Sequence, residues 1–157
     1  MKIYVAGKWK EREKVKSIMD IFEARGHIIT CDWTKHIAPE RNERVGGNGI
    51  FTKDYDWSKN VDWAHNGHKT YAEEDLEGVK TCDVLVAYML DSDVCYKGAW
   101  IEIGIALGLD KKVIIIGKEV TSVFLSLPNI IVVSCKEDAL GFVYNLDVYN
   151  KFYRSEA

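Results

Sequence analysis

One carboxylate, Glu102, interrupts the otherwise apolar stretch GAWIEIGIALGL at residues 98–109. Burying an ionised carboxylate is costly unless another group pairs with it or the site uses its charge. A position near the start of a helix would lower that cost, because free backbone N–H groups and the helix dipole favour negative charge there. A carboxylate kept charged and poorly solvated could act as a nucleophile or a base. The structural alternative is that Glu102 stabilises the first helical turn or pairs with Lys97.

Asp75, in the stretch AEEDLEG at residues 72–78, is the second carboxylate with a chemical interpretation. It could exchange a proton with a substrate, or it could share a solvated helix face with the neighbouring glutamates. Asp83 is expected to bond backbone at the end of a helix. Tyr4 lies in the first apolar run and, from the residues alone, is expected to be core.

The signals for a bound cofactor or metal are weak. AGKWKER, residues 6–12, matches neither GxGxxG nor GxxxxGK[ST]. HNGH, residues 65–68, offers two histidines without a further ligand cluster. We therefore expect no cofactor and no metal. The tryptophans at 9, 33, 57 and 63 could face a planar heterocycle or simply cover the core.

Apolar runs typical of strands alternate with helical patterns along the chain. Strands are predicted at 2–7, 27–32, 83–90, 112–117 and 129–134. Helices are predicted at 11–26, 70–82, 98–109 and 136–152, with a short helical piece around 120–127. Gly26 is placed to end the first helix, and Thr70 with Glu73 has capping-box spacing. The alternation predicts a single α/β domain over 1–157, with a doubly wound five-stranded parallel sheet of the flavodoxin-like or Rossmann-like kind.

In such a sheet, ligands bind beyond the carboxyl ends of the strands. This rule places AGKW, LDSDVCYKG and the loop before Asn129 on one rim. Residues 33–69 show no clear periodicity, and a segment of this length is predicted to be a substrate-covering loop.

Composition excludes several classes of partner. The formal net charge is -3, so no basic surface favours a nucleic acid or an anionic membrane. No stretch approaches the roughly 18 apolar residues of a membrane span, and MKIYVAGKWK lacks the apolar length of a secretory signal. The four cysteines form no CxxC pair, which favours a reduced, cytoplasmic location. Small neutral nucleosides remain compatible with this surface.

Three stretches together resemble the nucleoside 2-deoxyribosyltransferase family, including its hydrolase relatives that cleave deoxynucleotides. They are KIYVAGKW, TYAEEDLEGVKTCDVLVAYML and GAWIEIGIALGLDKKVIII. The resemblance covers roughly residues 2–34 and 70–134. It depends on the order and spacing of Tyr4, Asp75, Asp83 and the E-x-G-x-A core that begins at Glu102.

The resemblance implies a role for each of five side chains. Glu102 matches the nucleophile that attacks C1′ of deoxyribose and forms a covalent glycosyl-enzyme, and Tyr4 matches the tyrosine that orients it. Asp75 matches the aspartate that exchanges a proton with the departing and arriving base. Trp9 matches an aromatic at the base pocket. Asn129 matches an asparagine that reaches the sugar 5′-hydroxyl in a neighbouring subunit's site.

The sugar pocket departs from the family pattern. Many members carry an aspartate six residues before the nucleophile, where this chain has Tyr96. Asp93 or Asp91 could bind the same sugar hydroxyl from the preceding loop. Gly98 leaves room for a phosphate at the helix N-terminus, and Gly7 is expected to be a substrate-binding position on the rim.

The resemblance implies small-molecule partners, namely a nucleoside or deoxynucleotide and a free nucleobase. It also implies a homo-oligomer with shared active sites, which agrees with a helix at 98–109 that is apolar nearly all round. The leading hypothesis is transfer of 2-deoxyribose between nucleobases. A rival is hydrolysis of a deoxynucleoside or its 5′-monophosphate, and a third hypothesis is a non-catalytic nucleotide-binding domain. Base preference and tolerance of a 2′-hydroxyl stay open.

Overall fold

Strands and helices alternate in the computed structural model, which describes residues 1–36, 68–90, 96–118, 120 and 122–153. The strands are β1 Lys2–Ala6, β2 Ile28–Ile29, β3 Val84–Tyr88, β4 Lys112–Ile116 and β5 Ile130–Val133. The helices are α1 Arg12–Ala24, α2 His68–Thr81, α3 Lys97–Gly108 and α4 Lys136–Tyr153. Short 3-10 turns cover Trp9–Glu11, Trp33–Lys35 and Val123–Ser126.

The five strands pair in parallel, in the order β2-β1-β3-β4-β5. This order is that of flavodoxin-like doubly wound sheets, so the predicted fold class is confirmed. Strand β3 lies at the centre, and all five of its residues are buried. Its sequence is continuously apolar because a central parallel strand is covered on both faces.

The helices cover both faces of the sheet. The side chain of Tyr4 meets Glu102 of α3, so α3 lies on the face to which Tyr4 points. Gly7 is on the opposite side of the same chain segment and approaches Val15 of α1. Residues of α1 and α4 line one groove together with Tyr88, which places α4 on the α1 face. The two carboxylates singled out in the sequence are both carried by the α2 and α3 layer.

Two predicted boundaries are wrong. Strand β2, predicted over 27–32, is shorter: only Ile28–Ile29 pair with β1, at the edge of the sheet. Helix α2 already includes His68, so Thr70 occupies a position within the helix and not the N-cap position. By contrast, Gly26 follows α1 with a φ of 82°, and its predicted role as a helix terminator is confirmed.

The position of Glu102 in its helix also differs from the prediction. Helix α3 begins at Lys97, which makes Glu102 its sixth residue, about one and a half turns from the start. The free N–H groups of a helix belong to its first four residues, so they do not stabilise this carboxylate. The interpretation of Glu102 as a first-turn stabiliser is therefore wrong, and its charge needs another explanation.

Most of the predicted substrate-covering loop lies outside the described residues. Within the span 33–69, Trp33–Lys35 form a 3-10 turn and α2 begins at His68, whereas 37–67 are not described. In the part of the chain that the structure describes, no helix combines the length and the apolar character needed to cross a membrane.

Candidate active site

A hydrogen bond joins the first strand to the helix that carries the isolated carboxylate. The hydroxyl of Tyr4 donates to Oε1 of Glu102 at 2.8 Å. Tyr4 is fully buried in β1, so its hydroxyl is held by the sheet itself. The second oxygen, Oε2 of Glu102, is buried and receives no hydrogen bond from the described residues. Glu102 thus has one fixed oxygen and one that is unsatisfied.

Burial dominates the ionisation of Glu102. It raises the pKa of this carboxyl to about 7, with a further increase from the charge of Asp75, while the Tyr4 hydrogen bond acts in the opposite direction. Desolvation disfavours the charged form of a carboxyl, which is the physical cause of the shift. Near neutral pH, Glu102 is therefore divided between a protonated form and a poorly solvated carboxylate.

Asp75 lies near this pair from the side of α2. Burial raises its pKa, and the thiol of Cys31 donates to its Oδ1 at 3.5 Å. Burial and the adjacent carboxylates Glu102 and Asp75 also raise the pKa of Tyr4 far above its usual value. Tyr4 consequently remains a neutral donor. The three side chains that the sequence singled out as catalytic are close enough to shift one another's ionisation.

A glycine in α2 makes room for the tyrosine ring. A Cβ at Gly78 would lie 2.9 Å from Cδ2 of Tyr4 and 2.7 Å from Cβ of Cys31. Any larger residue at position 78 would displace one of them. Sequence reasoning missed both Cys31 and Gly78, although a glycine inside a helical pattern signals a packing or functional constraint.

The arrangement suits covalent catalysis with acid assistance. Two carboxyl groups with raised pKa values that influence each other can hold one proton between them, so one serves as nucleophile while the other serves as acid. A carboxylate of this kind stabilises positive charge that develops at a sugar C1′ and can form a bond to it. The neutral hydroxyl of Tyr4 fixes the orientation of the Glu102 carboxyl.

Trp9 and Gly7 follow the carboxyl end of β1, as predicted. Trp9 packs at 6.5 Å, ring centroid to ring centroid, from Trp33, and the guanidinium of Arg12 lies 5.0 Å from the centre of its ring. A Cβ at Gly7 would lie 2.6 Å from Cγ2 of Val15. The structure thus accounts for Gly7 by close packing against α1, and its predicted contact with a substrate stays a prediction.

The remaining predicted binding residues are dispersed. Gly98 is exposed in the first turn of α3, with open space where a Cβ would be. Asn129 immediately precedes β5, at the amino end of the sheet, and its side chain accepts from Lys112 at 2.8 Å. Its role in a neighbouring subunit's site stays a prediction. Asp93 lies outside the described residues.

Asp83 behaves as expected, since its side chain accepts from the backbone N–H of Lys2 at 2.7 Å. Tyr96, which replaces the family's aspartate, is buried at the start of α3. Its hydroxyl donates to Oε2 of Glu11 at 2.7 Å, and Glu11 is itself 93% buried. The Tyr96 hydroxyl thus holds the carboxylate of Glu11 in place. Sequence reasoning missed Glu11, which looks like part of an ordinary charged helix start.

Comparisons with known proteins agree with this architecture. The profile of the family described as nucleoside 2-deoxyribosyltransferase matches residues 3–146. The solved structure of a CMP N-glycosidase from Clostridium botulinum has 16% identity and a TM-score of 0.52, with 91% of this chain and 98% of that chain covered. A 2-deoxyribosyltransferase from Bacillus psychrosaccharolyticus has 17% identity and a TM-score of 0.54, with 88% and 90% covered. No curated protein sequence matches the chain.

Proposed function

Because the chain belongs to the nucleoside 2-deoxyribosyltransferase family, we propose that it moves 2-deoxyribose between nucleobases through a covalent intermediate on Glu102. The observation that carries the proposal is the buried hydrogen bond from Tyr4 to Glu102, with Asp75 close enough to raise the pKa of that carboxyl. A structural glutamate would have both oxygens satisfied, and Oε2 of Glu102 has no donor among the described residues.

The proposed reaction has two half-reactions with balanced charge. The Glu102 carboxylate forms a bond to C1′ as the bond from C1′ to the base nitrogen breaks and its electron pair goes to the base. Asp75, whose pKa is raised by burial, supplies the proton that the leaving base needs. An incoming base then attacks C1′, returns its proton to Asp75 and releases Glu102. Two displacements at one carbon retain its configuration.

Trp9 is the proposed flat surface for the base, because it follows the carboxyl end of β1, where ligands of doubly wound sheets bind. The partners are a nucleoside or deoxynucleotide and a free nucleobase, and no nucleic acid or membrane is proposed. No cofactor enters the reaction, since the nucleophile, the acid and the orienting hydroxyl are all side chains of this chain. Gly7, Asp93 and Gly98 remain proposed substrate-binding positions.

Hydrolysis of the same bond is the second candidate. Water would take the place of the incoming base, and Gly98 favours this reading because its exposed position at the start of α3 leaves space for a 5′-phosphate. Backbone N–H groups at a helix N-terminus bind phosphate well. One of the similar solved structures is that of an N-glycosidase acting on CMP.

We also propose that the protein is a homo-oligomer in the cytoplasm. Ile101, on the same helix α3 that carries Glu102, is 64% exposed, and Leu109, directly after this helix, is 47% exposed. A second subunit covering this face would bring its own residues, such as Asn129, near a neighbour's site. The described cysteines, Cys31, Cys82 and Cys135, are free thiols, which suits a reducing compartment.

The test is incubation of the tag-free protein with deoxyinosine and adenine, followed by chromatography. Deoxyadenosine among the products supports transfer, whereas hypoxanthine and free deoxyribose without a new nucleoside support hydrolysis. Repeating the assay with deoxyinosine 5′-monophosphate decides whether a phosphate is preferred. Unchanged substrates in every reaction would favour a non-catalytic binding domain. Glu102→Ala is the matched inactive control, and it should stay folded by circular dichroism.

A further inference from the structure

A thiol, an imidazole and a carboxylate converge beside the proposed catalytic pair. Cys31 follows β2, His36 follows the 3-10 turn Trp33–Lys35, and Asp75 lies in α2, so three separate segments contribute. One ligand atom from each lies within 4.8 Å of the other two, and all three residues are half-buried. We propose that Cys31, His36 and Asp75 bind Zn²⁺, and that the bound ion inhibits the enzyme by occupying Asp75.

The donor set selects the metal. A thiolate and an imidazole are the ligands that zinc prefers, with carboxylate oxygen as a common third, whereas Mg²⁺ and Ca²⁺ favour oxygen alone. Three protein ligands leave one position of a tetrahedron for water. Ligand atoms within 4.8 Å need only small side-chain movements to surround one ion. Asp75 is far from Cys31 and His36 in sequence, so spacing alone could not reveal the set.

The histidine already has the surroundings of a metal ligand. Oε2 of Glu74 lies 3.0 Å from Nε2 of His36, and the ring stacks on Tyr71 with 4.1 Å between ring centroids and 12° between planes. An imidazole that donates one N–H to a carboxylate offers the lone pair of its other nitrogen to a metal. Glu74 and Tyr71 therefore fix the ring before an ion arrives, which lowers the entropy cost of binding.

Zinc would exclude the proposed proton transfer. The existing hydrogen bond from the Cys31 thiol to Asp75 would be replaced by bonds from both groups to the ion, and the thiol proton would pass to solvent. Asp75 bound to Zn²⁺ cannot carry the proton that the leaving base needs. This inhibitory consequence rests on the proposed function, but the binding of zinc does not.

Binding is tested directly on the tag-free protein by competition for Zn²⁺ with a chromophoric chelator, and by the absorption spectrum with Co²⁺. We expect one ion per chain and a thiolate-to-cobalt charge-transfer band. Cys31→Ser should lose the band and weaken zinc affinity by more than about 100-fold. Glu74→Gln should weaken it by roughly 10–100-fold, the range typical of an outer-shell partner. Cys135→Ser, another half-buried free thiol, is the matched control and should bind normally.

Equal zinc affinity of Cys31→Ser and the unaltered protein would overturn the site. Inhibition by the bound zinc is tested by following nucleoside cleavage during a zinc titration. The rate of each variant is compared with its own metal-free rate, and EDTA should restore the activity. Full activity of the zinc-saturated protein would overturn inhibition. A protein with no activity on any nucleoside would contradict the proposed function, while the chelator and cobalt measurements would still decide whether the site exists.

Discussion

The hydroxyl of Tyr4 lies 2.8 Å from Oε1 of Glu102, and this contact joins strand β1 to helix α3 inside the protein. Burial and two nearby carboxylates raise the pKa of Tyr4 far above its usual value, so its hydroxyl stays a neutral donor to Glu102. A hydrogen bond to a charged group favours that charged form. Tyr4 therefore affects both the ionised fraction of Glu102 and the orientation of its carboxyl group.

Replacing this tyrosine should change the pH dependence of activity. In Tyr4→Phe the carboxylate form of Glu102 loses its donor, so its pKa should rise above about 7. A hydrogen bond to a charged group is worth about 1.5–3 kcal/mol, which corresponds to roughly one or two pKa units. We expect the limb of the kcat/KM profile that rises with pH to move upward by that amount. Tyr88→Phe, which removes a tyrosine hydroxyl from the opposite face of the sheet, should leave the limb in place. A limb equally unmoved in Tyr4→Phe would contradict the assigned role.

The ionisation of Glu102 should also be visible in stability. Its pKa is raised in the folded protein from 4.5 to about 7, so the folded state binds this proton more tightly than the unfolded chain does. The free energy of unfolding therefore falls as pH rises from 4.5 to about 7, and the loss is complete above that value. At about 1.4 kcal/mol per unit, the destabilisation amounts to about 3 kcal/mol.

Glu102→Gln removes this contribution, so the stability of the variant relative to the unaltered protein should increase by about 3 kcal/mol between pH 4.5 and pH 8. Urea unfolding at several pH values measures the difference. Glu77→Gln, an exposed position on α2, is a suitable control and should show no such trend. A stability difference between Glu102→Gln and the unaltered protein that stays constant across this range would show that Glu102 is well solvated or paired.

Much of the fold could be predicted from local patterns, because burial on both faces gives β3 and β4 continuous apolar sequences. Contacts between distant segments could not be predicted in this way. Glu11 meets Tyr96 and Cys31 meets Asp75 only because the sheet brings their segments together. The resemblance to a family singled out Tyr4, Asp75 and Glu102 from the sequence. The apolar or charged residues around each of them were compatible with both a structural and a chemical role.

Asp75 should matter most for poor leaving groups. Asp75→Asn keeps the size of the side chain but cannot supply a proton, so cleavage of natural nucleosides should fall by about 100-fold or more, the typical range for general acid catalysis being 10²–10⁴. A substrate whose base leaves without protonation should lose much less. Steady-state rates with both substrates test this. Equal losses would mean that Asp75 acts by binding or by positioning instead of by proton transfer.

Gly78 should be intolerant of even one added methyl group. In Gly78→Ala the new Cβ would lie 2.9 Å from Cδ2 of Tyr4, so the ring, and with it the hydroxyl that holds Glu102, must shift. Overpacking costs about 1–3 kcal/mol, which exceeds the gain of up to about 1 kcal/mol in helix propensity. We expect lower stability by thermal unfolding together with a large loss of kcat. Gly141→Ala, in α4 with open space around it, is the matched control and should stabilise by roughly 0.5–1 kcal/mol. Retention of full activity by Gly78→Ala would show that the position of Tyr4 is not critical.

Ile101 tests whether α3 is covered by a second subunit. The side chain is 64% exposed in the isolated chain, so Ile101→Asp should change the stability of a monomer little, because exposed substitutions usually fall within about 0.5 kcal/mol. In an assembly that buries this face, the same change would place an unpaired charge in an apolar interface, which is strongly unfavourable. We expect light scattering to show a smaller particle for Ile101→Asp. Activity should fall with it, because the proposed sites are completed by a neighbouring subunit. Tyr144→Asp on α4, at a position 63% exposed, should change neither quantity. The same mass for Ile101→Asp and the unaltered protein would mean that the exposed face of α3 is not where subunits meet.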